Sequence, residues 1–408
     1  MTYFSNLKLY KWEIPFFMAY VLYIGSNILK TTVMGFDTDS LLFKGIIVAC
    51  LSLLMLKEFL KQEFGSRAFF AVILIGAMMY IIHLSKSFTV ATFLIFIFCA
   101  RDIDYKKIAA VTMWLTIAEC SLIILMSKVG MITNYVMDEE STRPREFLGY
   151  LYALFPAAYL FNIIALHMYI KKDKMNWFWI AGYWAANIWI YKKTDARLSF
   201  CFICILLVSI MTIKIVKRYK KCRYKAVLLG NVMGFGVIFS YVIAAISSLI
   251  ILIKYDHHIP ILEKINKIFA NRLAYGHISY EKYGIKLLGQ QIPWYGNGID
   301  YSEQAYQGEK LYVDNLYLQF LQQYGIILAV LVLILVTVAM YRFFVKRDYY
   351  MLFILLIIAG HAMIDDMVQH IWINTFLIPI GQVLIKDTEV FARQRLGGND
   401  LCTVKQTQ

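Results

Sequence analysis

One arginine of this sequence stands where a charge is costly. Ile261, Ile265, Ile268 and Phe269 recur at helical spacing, and Arg272 falls in the middle of that apolar stripe. A cation on the buried face of an amphipathic helix needs an anionic partner. That partner is either a carboxylate of the chain, such as Glu281 or Asp314, or an anionic substrate. Arg197 is the second candidate cation. It opens an apolar run beside Asp195, within Lys192–Ser199. Guanidinium binds phosphate oxygens bidentately and stays charged, which makes both arginines candidate phosphate contacts. A snorkelling side chain paired with Asp195 is the alternative for Arg197.

Polar groups suited to a sugar follow. In Tyr312–Gly325, a helix would put Asn315, Gln319 and Gln322 on one face at i, i+4, i+7, next to Asp314 and Tyr317. Such a stripe fits a hydroxyl-rich ligand, or else the solvated face of an interfacial helix. His361, Asp365, Asp366 and His370 cluster near a later turn, where they supply a proton acceptor or simply end a hairpin. Glu119 lies inside an apolar run, as a functional carboxyl or a helix-to-helix hydrogen bond. Tyr275, Tyr280, Tyr283, Trp294, Tyr295, Tyr301 and Tyr306 form either a sugar-stacking surface or an interfacial aromatic belt.

The elements that must position these residues are membrane-length. The chain has 408 residues, 60% hydrophobic and 17% charged, with a mean hydropathy of +0.60. That composition predicts an all-α polytopic membrane protein rather than a soluble globule. At roughly 20 apolar residues per span, the runs give about twelve transmembrane helices. They lie near 12–29, 41–56, 68–84, 88–100, 108–126, 148–170, 176–191, 197–216, 226–253, 325–341, 349–364 and 368–385. Three regions result: spans over 1–253, a polar Tyr-rich island with amphipathic helices over 254–324, and spans plus a tail over 325–408. Irregular backbone is tolerated only outside the hydrocarbon or under protein cover, so the island must roof one membrane face.

Charge sets the expected orientation. The net charge of +14 sits in short loops between apolar runs, so topology explains it better than nucleic acid does. Lys57, Lys61 and Arg67, then Arg101, Lys106 and Lys107, then Lys171, Lys172 and Lys174 fall on one side. Lys217, Arg218, Lys220, Lys221, Arg223 and Lys225, and Arg342, Lys346 and Arg347, join them. With both tails, that side carries roughly 24 basic residues against roughly 8 opposite, so it reads as cytoplasmic. Both termini are then cytoplasmic, and the island and a loop around 127–147 are extracellular. No cleavable signal peptide is expected, because Met1–Lys11 lacks a small-residue cleavage site.

Several chemistries lack a basis. There is no Walker A loop, dinucleotide fingerprint, H-E-x-x-H or paired C-x-x-C zinc site. Cys201 and Cys204 form a C-x-x-C, but in an apolar helix rather than a βαβ setting. The island has no cysteine, so no disulfide framework is implied there. No internal repeat is visible, which disfavours inverted-repeat transporters. No cofactor and no metal is expected.

Asn271-Arg272, then Tyr283-Gly284-Ile285-Lys286-Leu287-Leu288-Gly289, then Val313-Asp314-Asn315-Leu316-Tyr317 with Leu321 and Tyr324-Gly325-Ile326, resemble the Wzy-type polysaccharide polymerases. These belong to the O-antigen polymerase and ligase superfamily, which is GT-C-like in fold. The Thr194–Arg197 segment matches that family's arginine at the start of a span. The topology covers the whole chain, and the specific motifs cover about 194–200 and 265–326. Related ligases carry a histidine next to the Asn where this chain has Asp314.

The resemblance implies a reaction at the outer face of the bacterial cytoplasmic membrane. The donor would be a glycan on undecaprenyl pyrophosphate, and the acceptor a lipid-linked repeat unit. Arg197 and Arg272 would stabilise the leaving diphosphate. Asp314 would accept the hydroxyl proton, and Asn315, Tyr317, Gln319, Gln322, His361 and Asp365 would contact sugar. Neither nucleotide nor metal is required. Partners implied are the lipid-linked oligosaccharide, membrane lipids, a chain-length regulator and a flippase. The alternatives are a flippase for the same substrate or a ligase of the same superfamily.

Overall fold

The computed structural model describes residues 9–37, 40–61, 65–84, 89–137, 144–219 and 234–385. Most of them are helical. The first group is α1 (Ile14–Lys30), α2 (Leu41–Lys61), α3 (Ser66–Leu84), α4 (Thr89–Cys99) and α5 (Tyr105–Lys128). A two-residue ladder pairs β1 (Val136–Met137) with β2 (Arg145–Glu146). Then come α6 (Phe155–Lys171), α7 (Trp177–Thr194), α8 (Arg197–Tyr219) and α9 (Ser240–Ile253). The island carries α10 (Pro260–Ile268) and α11 (Arg272–Tyr283), and the chain continues through α12 (Leu316–Val345), α13 (Tyr349–His361) and α14 (Leu377–Ile385). Lys220, Lys221, Arg223 and Lys225 and the tail from residue 386 lie outside the described residues.

Local sequence explains the helix starts. Asp104 accepts from the Lys106 amide (3.0 Å) and Asn176 from Phe178 (3.2 Å). Asn315 accepts from Leu318 (2.9 Å) and Asp348 from Met351 (3.4 Å). Each satisfies a donor that the first turn leaves open. α1 packs on α2 and α5, α6 on α5 and α8, and α12 on α9 and α14. Ser66–His83, Tyr105–Lys128, Arg197–Val216 and Leu316–Val345 are each long and apolar enough to cross a bilayer. Large apolar side chains such as Leu41, Met55, Phe59, Phe69 and Phe70 face outward. A soluble protein rarely leaves such a surface bare, and a helical membrane protein covers it with lipid.

Four expectations are corrected. The apolar stripe is not one helix. Ala270 and Asn271 are both left-handed (φ 53° and 63°), so α10 ends and Arg272 begins a new helix. The run near 148–170 is helical only from Phe155. Before it, Tyr150 bridges Thr32 and the Leu151 amide donates to the Thr31 carbonyl (2.8 Å). The run near 368–385 is α-helical only from Leu377. Buried Asn374 spends its amide on the Val368 carbonyl (2.8 Å), and Asn162 donates to Thr375 (2.9 Å), which holds that stretch out of a helix. Finally, the expected span at 325–341 starts at Leu316 and breaks at Gly325 (φ 84°). The segment before Gly289 crosses the helix there: the Ile326 amide donates to Lys286 (3.1 Å), and a Cβ on Gly325 would overlap the Leu287 carbonyl.

Candidate functional site

The C-terminal end of α13 organises the site. Its last turn and the residues beyond it leave carbonyls without helical partners. The Tyr317 hydroxyl donates to Ala359 (2.9 Å), the Leu316 amide to Ala362 (2.9 Å), and the Asn315 side chain to Met363 (2.7 Å). The Arg272 guanidinium donates to the next carbonyl, Ile364. A cation at a helix C-terminus also meets the negative end of the helix dipole.

Arg272 is thereby buried, with 12% of its side chain exposed, and its Nε lies 2.9 Å from Asp314 Oδ2. Asp365 and Asp366 stand close enough to act on the same guanidinium, as does the Tyr152 hydroxyl. His361 Nε2 is 3.3 Å from Asp365 Oδ2, and the His361 ring is wedged between Phe161 and Phe202. Gln369 donates to Gln319 (2.8 Å), which donates to Asp366 Oδ2 (2.6 Å).

Electrostatics separates the three carboxyls. Burial pushes Asp314 up to about 6, against the pull of Arg272 and with a further push from Asp365. Burial, then Asp314 and Asp365, push Asp366 up to about 7. Burial also acts upward on Asp365, but His361, Arg272 and the Met367 amide outweigh it and hold that carboxyl below its ordinary value. The site therefore offers one charge-compensated carboxylate and two basic enough to take up a proton near neutral pH.

Arg272, Asp314, Gln319, His361 and Asp365 are thus brought together. Asn315, Tyr317 and Gln322 have a different part. Gln322 accepts from the Ser279 hydroxyl (3.0 Å) and donates to the Ser279 and Gly284 carbonyls (3.0 and 3.1 Å). Its polar atoms, like those of Asn315 and Tyr317, hold island and helix ends together instead of pointing to a ligand. The solvated interfacial face expected as the alternative is not formed: Asn315, Gln319 and Gln322 are buried.

Arg197 pairs with Asp195 rather than with the carboxylates around Arg272. Its Nε and Nη2 lie 3.2 and 3.0 Å from Asp195, and its side chain is 53% exposed. It belongs to a charged cluster with Arg145, Lys193, Lys128 and Glu146. That arrangement is the paired, surface-seeking one weighed for it from sequence. Glu119 instead packs its carboxyl against Gly25 of α1.

Sequence reasoning missed Gln369, Tyr152 and the Ile364 carbonyl. A glutamine, a tyrosine and a backbone oxygen carry no signal until the fold gathers them. Of the tyrosines, Tyr295 and Tyr306 stack in parallel with centroids 4.2 Å apart on the exposed island surface. Tyr275 and Tyr312 pack at 4.6 Å beside Asp314. Among the described residues, the group spaced to share a metal ion is exposed Asp256, His257 and His258, not the carboxylates of the site.

An apolar cavity of about 570 Å³ runs beside α12. Tyr317, Gln369 and Asn374 bound it next to the polar site, and Arg67 and Arg342 bound it at the far end of the helix. Phe70 and Val338, which also line it, are exposed. Comparison with protein-family models, curated proteins and solved structures returned no match.

Proposed function

We propose that this chain is a membrane-embedded glycan polymerase. It transfers a growing glycan from undecaprenyl pyrophosphate to a sugar hydroxyl of an incoming lipid-linked repeat unit. The observation that carries this reading is largely buried Arg272, paired with Asp314 of the same island and linked through Asp366, Gln319 and Gln369 to an apolar cavity beside α12. A polar site next to an apolar cavity suits an amphiphile with a sugar-phosphate head and a long tail. The twelve-span topology, with both termini cytoplasmic and the island outside, belongs to the same proposal.

The chemistry follows from the pairing. The acceptor oxygen forms a bond to the donor's anomeric carbon, and the bond from that carbon to the diphosphate oxygen breaks. Asp314, basic for an aspartate, takes the hydroxyl proton. Once protonated, it no longer neutralises Arg272. The guanidinium charge becomes available as negative charge builds on the departing diphosphate. Proton uptake and leaving-group stabilisation are then two sides of one ion pair. Gln319 and Gln369 orient sugar beside Asp366. Arg197 stays outside this mechanism, on the outer rim.

Deletion tests the reading against its rivals. Loss of a polymerase leaves single repeat units at the cell surface, with no longer ladder. Trapping of repeat units on the inner face would instead indicate a flippase. Full-length free glycan that fails only to reach its final acceptor would indicate a ligase.

A further inference from the structure

Helix α10 is amphipathic with the wrong side out. The residue it buries against the protein is polar: Asn266 is 3% exposed. Glu263, on the same side, accepts from the Tyr255 hydroxyl (2.8 Å), to which Asn266 also donates (3.0 Å). Two of its three isoleucines instead point away, Ile261 at 71% and Ile268 at 60% exposure, with Ile265 between the two faces. Ile259, just before the helix, is exposed as well. Nothing in a soluble setting favours burying an asparagine and leaving isoleucines in water.

We propose that α10 is seated in the headgroup–acyl boundary of an anionic membrane leaflet, and that this seat holds Arg272 in place. Two observations name the occupant. First, the apolar face continues an outward apolar surface, because Ile250 and Ile253 of α9 are exposed and α10 starts a few residues after that helix ends. Second, Lys254, Lys264 and Lys267 are exposed around the face, with Glu263 turned to Tyr255. Isoleucines flanked by lysines fit an interfacial helix on anionic lipid.

The link to Arg272 is a single asparagine. The Asn271 amide donates to the Asn266 carbonyl (2.9 Å), Asn266 donates to the Asn271 side chain (3.3 Å), and the Ala274 amide donates to Asn266 Oδ1 (3.1 Å). Asn266 therefore pins α10 to the first turn of α11, where Arg272 is the first residue. The left-handed pair Ala270–Asn271 lets the two helices change direction between the membrane seat and the buried cation. This inference stands apart from the proposed reaction and requires only that the chain sits in a membrane.

Accessibility of single cysteines tests it. Ile261→Cys, Ile268→Cys and Lys264→Cys are each placed in the full chain in phosphatidylcholine–phosphatidylglycerol nanodiscs and treated with a membrane-impermeant maleimide. Labelling of the unsubstituted protein is subtracted. The two isoleucine positions label about tenfold more slowly than Lys264→Cys if the helix is seated in lipid. Equal rates overturn the seat. Oxidative cross-linking of Ile261→Cys between two copies also overturns it, because a second subunit would then be the cover. Limited trypsin digestion tests the link. The double variant Ile261→Asp/Ile268→Asp gains cleavage after Lys267 or Arg272, where the parent resists. Equal cleavage of the parent overturns the link, and the labelling result stands even where the double variant fails to fold.

Discussion

At the Glu13 end of α1, Arg101 grips both oxygens of Glu58 (2.9 and 2.6 Å) while Lys57 reaches Glu58 (2.7 Å) and Asp102 (3.5 Å). Lys61 adds a contact to Asp102 (3.2 Å). At the Lys30 end, where the Tyr301 hydroxyl ties the island to α1 (2.9 Å), Arg272 alone stands among Asp314, Asp365 and Asp366. Both networks are largely shielded from solvent. In the first, each carboxylate touches at least two cations, so its charge is compensated. In the second, carboxyls outnumber the guanidinium, and two of them are pushed toward protonation. Compensation makes a staple, since breaking one partner leaves a stranded charge. A surplus of carboxyls is costly to stability and suits a site that must take up a proton.

The largest expected effect separates the two regions by activity. Arg272→Ala lowers glycan elongation about 100-fold or more, the scale of removing one charge-stabilising donor. It leaves membrane protein abundance near the parent's. A glycan ladder beside an immunoblot reads both, and long chains from this variant would remove Arg272 from the site. At the other end, Arg101→Ala leaves Glu58 with Lys57 as its one remaining cation in the network and costs about 3 kcal/mol of stability, with turnover per folded molecule unchanged. Thermal unfolding in detergent reads the first and specific activity the second. A variant of normal stability but no activity would make that network a functional site too.

The pH response sharpens the contrast. Asp314 at about 6 and Asp366 at about 7 bind protons more tightly folded than unfolded, where an aspartate titrates near about 3.9. They therefore impose a stability penalty present above about pH 7 that fades on acidification and is gone below about pH 4. Activity moves the other way, falling as pH drops through about 6 and Asp314 is already protonated. Asp366→Asn removes one of the crowded charges and raises the unfolding midpoint at pH 8 by about a degree or two. Asp365→Asn instead shifts the acid limb of the activity profile downward, because Asp314 loses the carboxylate that repels its charge. An unmoved acid limb would uncouple the two carboxyls. The smallest effect belongs to Arg197→Lys. Its exposed pair with Asp195 is worth under about 1 kcal/mol, so chain length and stability stay near the parent's. A collapse in chain length would restore Arg197 to the site.

The two regions also differ in how legible they were. A charge in apolar surroundings singled out Arg272, and Asp314 was one of its two proposed partners. The helix reading that singled it out was nonetheless incorrect, because a periodicity of isoleucines cannot register a left-handed turn at Ala270–Asn271. The membrane class followed from apolar run length, and four helices of spanning length bear it out. Helix starts at 148 and 368 were misplaced because Tyr150 and Leu151 pair with Thr32 and Thr31, and because buried Asn162 and Asn374 bind the stretch before Leu377, a competition that an apolar run hides. The network at the Glu13 end was not legible as a network: Lys57, Lys61 and Arg101 entered only as basic residues that set orientation, and Glu58 and Asp102 carried no signal until the fold joined them. Gln369 and Tyr152 were silent for the same reason.

The most direct measurement is elongation of purified lipid-linked repeat units by the purified protein alone, with Arg272→Ala alongside. The account predicts a ladder of lengthening glycan and released undecaprenyl pyrophosphate without nucleotide or added metal, and neither product from the variant. Folded protein that leaves the repeat units unjoined, or a variant that extends them as fast as the parent, would contradict it.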